Sequence, residues 1–157
     1  MSSGELLWGR RVQSLARSST IRSLSEKSTL TKKSYNPGAE KMSIKRIQSG
    51  DRMSQAVVHG GIVNTAGQVA QNAKGESVTA QTQDILKAID GLLKEAGTDK
   101  TQLISATIWL ADMGDFAEMN SVWDTWVSKG NTPTRACVES KLASPDFTVE
   151  IAVSAAV

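Results

Sequence analysis

Cysteine, histidine and tyrosine occur once each in this chain, proline three times, and aromatic residues make up only 4% of it. A lone Cys137 excludes an internal disulfide framework. With His59 as the only histidine and no C-x-x-C or H-x-x-x-H spacing, a zinc site runs out of ligands. No stretch approaches the ~18 consecutive apolar residues of a membrane-spanning helix, so membrane insertion is not expected. The one tyrosine, Tyr35, sits near the N-terminus. Beyond it, proton transfer falls to carboxylates, lysines, Cys137 and His59.

What is present is unevenly placed. Residues 1–41 hold eight basic and three acidic side chains, a net of +5, whereas residues 42–157 hold ten and thirteen, a net of −3. The basic part is rich in Ser and Arg, with the composition of an organelle transit segment. Drawn as a helix, Trp8, Val12 and Leu15 share one side, while Arg10 and Arg17 lie opposite. Mitochondrial import of a disordered leader is the expectation. A tail without an address, or a cytoplasmic form started at Met42, is the alternative. The remaining 116 or so residues suffice for one domain with a core. Its acidic balance disfavours nucleic-acid binding.

Within residues 42–157 the pattern predicts strand, strand, strand, helix, strand, helix, strand, strand. Short strands are expected at Ile44–Ile47, Ser54–Val58 and Ile62–Ala66, with His59-Gly60-Gly61 turning between the last two and Gly67-Gln68 closing them. Ile85, Ile89, Leu92, Leu93 and Ala96 form a helical stripe that Gly97 ends. Leu103–Leu110 reads as a buried strand. Asp115 and Glu118 form a D-x-x-E opening to a second helix, with Phe116, Met119, Val122, Trp123 and Trp126 as its stripe and Gly130 as its end. Thr134–Leu142 and Phe147–Ala155 are the last strands. The expected architecture is α+β, a mixed sheet with two helices packed on one face.

Period-two alternation divides those last strands into faces. Arg135, Cys137 and Glu139 share one, and Glu150 is a mid-strand carboxylate set among Thr148, Ala152 and Ser154. A strand-borne arginine presents a planar fork of donors that suits a carboxylate, each charged hydrogen bond contributing ~1.5–3 kcal/mol. A salt bridge from Arg135 to Glu150 or Glu139 accounts for the same alternation. Cys137 reads as a small packing residue able to line a pocket. His59 reads as a loop residue, and Trp109, Trp123 and Trp126 as packing or subunit contacts.

The segment Pro133-Thr134-Arg135-Ala136-Cys137-Val138-Glu139, followed by Val149-Glu150-Ile151, resembles the C-terminal signature of the RidA, or YjgF, family of enamine/imine deaminases. Gly67-Gln68 and Asp115-Phe116 with Asn120 support it, and Trp123-Asp124-Thr125-Trp126-Val127 matches the W-D-x-W-V helix of a bacterial-type branch. The resemblance covers nearly all of Ile44–Val157. It implies a chorismate-mutase-like fold, a homotrimer, and active sites in clefts between subunits. It further implies hydrolysis of 2-aminoacrylate and 2-iminobutanoate to 2-oxo acids and ammonia, with no metal or organic cofactor. In that frame Arg135 holds the substrate carboxylate, Glu150 stands near the attacking water, and Asn120, Cys137 and Gly67 line the pocket. Met53 and Ala66 stand where well-known deaminases carry a tyrosine and a serine, removing two hydroxyls. The alternatives implied are a non-catalytic trimer that binds small carboxylates or protects proteins, and a translation-inhibiting ribonuclease, which the acidic balance disfavours.

Overall fold

The fold is built on a hairpin whose turn needs two left-handed residues. A computed structural model describes residues 43–157; the leader helix, its charge pattern and the Met42 start lie outside them. Strand β1 (Lys45–Ser49) pairs antiparallel with β2 (Ser54–His59), which turns through Gly60 (φ 61°) and Gly61 (φ 77°) into β3 (Ile62–Thr65). Positive φ at both central residues is the two-residue hairpin geometry that side chains with a Cβ resist.

The strand expected over Ile62–Ala66 is present as β3, and the Gly67-Gln68 segment expected to close it leads instead into a separate strand, β4 (Gln68–Val69). Both lie against the last strand, β7 (Val149–Ala156): β3 opposite residues 154–156, β4 opposite Ile151 and Glu150. At the gap the Thr65 side chain replaces the missing backbone partner. Its hydroxyl accepts from Val153 N at 2.9 Å and donates weakly to Val153 O at 3.4 Å. Alternation in the sequence carries no sign of this break, because a threonine hydroxyl standing in for a peptide preserves the strand-like pattern.

Helix α1 (Val78–Ala96) starts at Ser77, whose hydroxyl accepts from Ala80 N, and stops at Gly97 in the left-handed conformation. Its stripe, Ile85, Ile89, Leu92 and Leu93, is almost wholly buried against Val63, Ile108, Val149 and Ile151 from the sheet. Each such side chain stabilises the fold by about 1.5–3 kcal/mol. Strand β5 (Leu103–Leu110) lies between β7, antiparallel, and β6 (Thr134–Glu139), parallel. The sheet order is therefore β1-β2-β3-β7-β5-β6, with β4 also on β7 and β6 at an edge. This is the expected α+β arrangement, a mixed seven-stranded sheet with two helices.

The second helix departs from expectation at both ends. In α2 (Phe116–Trp126) Asp115 makes no side-chain cap, and Glu118 turns away to accept from Thr79 N at 2.9 Å and Thr79 Oγ1 at 2.7 Å. Glu118 thus serves the first turn of α1, so the D-x-x-E pattern spans two helices rather than one. The helix ends at Trp126, before Gly130, which takes φ 85° in the following turn. Strand β6 stops at Glu139, short of Leu142, and β7 begins at Val149, two residues after Phe147.

Candidate active site

Strand register decides which candidate side chains meet. Arg135 lies beside Ala106, Cys137 beside Ile108 and Glu139 beside Leu110; Val153, Ile151 and Val149 continue the same rows on β7. Ala106, Ile108, Leu110 and the three β7 residues are all buried beneath the helices. Partners across a ladder point the same way, so Arg135, Cys137 and Glu139 face the helix layer. Glu150 lies beside Trp109, three residues from Ala106, and therefore faces the other side of the sheet. The two residues expected to share a site point to opposite faces within one chain.

The salt bridges from Arg135 to Glu150 or Glu139 are absent. Instead Arg135 Nη1 donates to Asn120 Oδ1 at 2.8 Å. Glu139 accepts from the Met113 backbone N–H at 3.0 Å. Arg135 and Asn120 are thus brought together, with half-buried Cys137 two residues along the strand. Burial pushes the Cys137 thiol up, against a smaller opposing pull from Arg135. A raised thiol is mostly uncharged at neutral pH, so the group suits pocket lining better than nucleophilic attack.

Glu150 has its own neighbourhood. Its carboxylate lies against Gly67, so closely that a Cβ there would collide with it. Gly67 and Met53, the latter 47% exposed, also line a cleft of about 450 Å³ with Gln48, Gln55, Gln68 and Asp84. Ala66 is tied by its N–H to Gln55 O at 2.8 Å, and Gln68 Nε2 donates to Gln55 Oε1 at 3.0 Å and Ala66 O at 3.2 Å. Asp84, the cleft's one carboxylate, is occupied by the side-chain and backbone N–H groups of Asn72, which hold it below the usual carboxylate range. Amide groups therefore dominate the wall. Sequence reasoning gave Gln55 and Gln68 no place in the site, because Gln55 in an alternating strand looks like a residue that faces solvent and Gln68 reads as the close of a strand. No group of three or more His, Cys, Asp or Glu side chains converges among the described residues.

The candidates thus fall into two groups, Arg135 with Asn120 and Cys137 on the helix side, and Glu150 against Gly67 at the β3–β4 break, with Met53 joined to Gly67 only through the cleft they both line. One offers a cation to a carboxylate. The other offers a carboxylate beside a glycine.

Residues 43–157 match the family model described as Endoribonuclease L-PSP. A RutC family protein of Haemophilus ducreyi is 41% identical over 114 residues, covering 73% of this chain and 97% of that protein. RutC family protein YoaB of Escherichia coli K12 is 40% identical over 116 residues, 74% of this chain and all of YoaB. Among solved structures, NMB1025 of Neisseria meningitidis, a member of the YjgF protein family, superimposes with a TM-score of 0.72 at 44% identity, covering 74% of this chain and 97% of that one. YyfA of Yersinia pestis, of the Rid protein family, gives a TM-score of 0.67 at 26% identity over 73% of this chain and 100% of that one.

Proposed function

Because the chain belongs to the Endoribonuclease L-PSP family, which includes the YjgF and RutC proteins, we propose that it hydrolyses reactive 2-imino acids and their enamine tautomers to 2-oxo acids and ammonia. The observation that carries this is Arg135, a guanidinium with no carboxylate partner among the described residues, held by Asn120 and available to an anion. A 2-iminium acid is already electrophilic at C2. The protein therefore needs to do little more than hold the carboxylate and present a water. In this scheme Arg135 binds the carboxylate and Glu150 accepts a proton from the attacking water. The carbinolamine then expels ammonia and leaves the 2-oxo acid. An enamine such as 2-aminoacrylate must first take a proton at C3.

Since Arg135 and Glu150 face opposite sides of the sheet, the scheme needs two copies of the chain, one supplying each half-site. A homotrimer with its sites between subunits meets that requirement. The sheet face bearing Glu150 also carries half-buried Trp109 and Ala152, with Val138 46% exposed, an apolar surface suited to subunit packing. Mitochondrial delivery by residues 1–41 belongs to the same proposal.

The missing hydroxyls at Met53 and Ala66 favour a second reading, a trimer that binds small carboxylates without turnover. Ribonuclease action is disfavoured by the net charge of −3 over residues 42–157. The deciding experiment generates 2-aminoacrylate and 2-iminobutanoate in situ and follows ammonia and 2-oxo acid release. Wild type should accelerate both, and Arg135→Ala should lose about a hundredfold, corresponding to roughly 3 kcal/mol of positioning. Saturable binding without acceleration would favour the second reading.

A further inference from the structure

Arg135 sits on the edge strand β6, where a long cationic side chain is ordinarily free to swing into water. Its guanidinium is nevertheless held from α2 at three points. Asn120 Oδ1 accepts from Nη1 at 2.8 Å, and the guanidinium carbon stands 5.3 Å from the Trp123 ring centre and 5.9 Å from that of Phe116. The three residues fall at i, i+4 and i+7 of one helix, so a single helix face presents all of them. Trp123 is in turn fixed. It is 5% exposed and stands 5.3 Å from Trp126, whose indole N–H donates to Asp90 of α1 at 3.0 Å. The guanidinium is thus connected through two indoles to the longer helix.

The chemistry of the holders matters as much as their number. A carboxylate partner would cancel the charge that an incoming anion needs to find. Two π faces and a neutral amide oxygen attract the cation without neutralising it. We propose that Phe116, Asn120 and Trp123 form a cradle that orients the Arg135 guanidinium for a ligand carboxylate, with Phe116 and Trp123 as positioning residues. The inference rests on Arg135 being the carboxylate anchor. It adds what makes an edge-strand arginine precise enough for that task, and it gives the aromatic stripe of α2 a role besides packing.

The test measures binding of 2-oxobutanoate, the product carboxylate, by calorimetry on the full-length assembled protein, alongside KM and kcat for imine hydrolysis. Trp123→Leu should weaken binding and raise KM about tenfold with a smaller effect on kcat, and Trp123→Phe should recover most of the loss. In an Arg135→Ala background, Trp123→Leu should change nothing further. Millimolar guanidinium should restore binding to Arg135→Ala but not to the Arg135→Ala, Trp123→Leu double variant. Phe116→Leu, at a 36% exposed position, provides the same comparison if Trp123→Leu fails to fold. Equal losses with and without Arg135, or unchanged binding in a folded Trp123→Leu protein, would overturn the cradle. Binding that follows these rules in a protein without turnover supports the cradle while rejecting the deaminase; turnover indifferent to Trp123 and Phe116 does the reverse.

Discussion

Gly67 is the position where a single atom separates packing from chemistry. Its backbone is not left-handed, so alanine fits the chain there, but the new Cβ would occupy the place of the Glu150 carboxylate. The carboxylate is the far end of a flexible side chain and can rotate aside at a cost of about 1 kcal/mol or less. Gly67→Ala should therefore leave thermal unfolding nearly unchanged while lowering kcat for imine hydrolysis at least about tenfold. Equal activity in that variant would remove Glu150 from the reaction. At this scale alternation placed Arg135, Cys137 and Glu139 on one face and Glu150 with Ala152 on one face, as found, while Thr148 falls before the start of β7. It could not relate the two strands. Which face of β6 continues which face of β7 depends on β5 lying between them, a long-range fact with no local mark in the sequence.

At the scale of elements, two of the departures from the expected pattern are places where a side chain serves a distant backbone. Glu118 caps α1 from α2, and the Thr79 hydroxyl and amide hold its carboxylate below the usual range. A depressed carboxylate contributes stability that is present above its unfolded value, about 4.3, and is lost as pH falls through the folded value. Glu118→Ala should lower the unfolding temperature at pH 7, and the difference from wild type should shrink as pH falls below the unfolded value. A pH-independent difference would mean that packing, not charge, is the cause. Thr65 makes the parallel case on the sheet, since Thr65→Val would leave the Val153 N–H without its acceptor. An unsatisfied part-buried donor costs about 1–3 kcal/mol, readable as a shift in the urea midpoint with unchanged slope. The helices and most strands were legible from apolar periodicity and from Gly60, Gly61 and Gly97. The β3–β4 break and the shared cap were not, because both replace a local hydrogen bond by one from a residue remote in sequence.

For the whole molecule, the sheet has one face covered by helices and another that carries Glu150 with Trp109, Ala152 and Val138. The charge asymmetry between residues 1–41 and 42–157 indicated where to seek the fold, and the signature around Arg135 indicated where the proposed chemistry would lie. Neither could show that the two halves of the site point apart. That geometry makes the central claim, a site shared between subunits, directly testable by complementation. Arg135→Ala and Glu150→Gln proteins, each expected to be strongly impaired alone, should be unfolded together in equal amounts and refolded as mixed assemblies. Where a Glu150→Gln subunit contributes Arg135 and an Arg135→Ala subunit contributes Glu150, a complete site forms. Random mixing should therefore recover about a quarter of wild-type imine hydrolysis. Mixed assemblies as inactive as either parent would contradict the account.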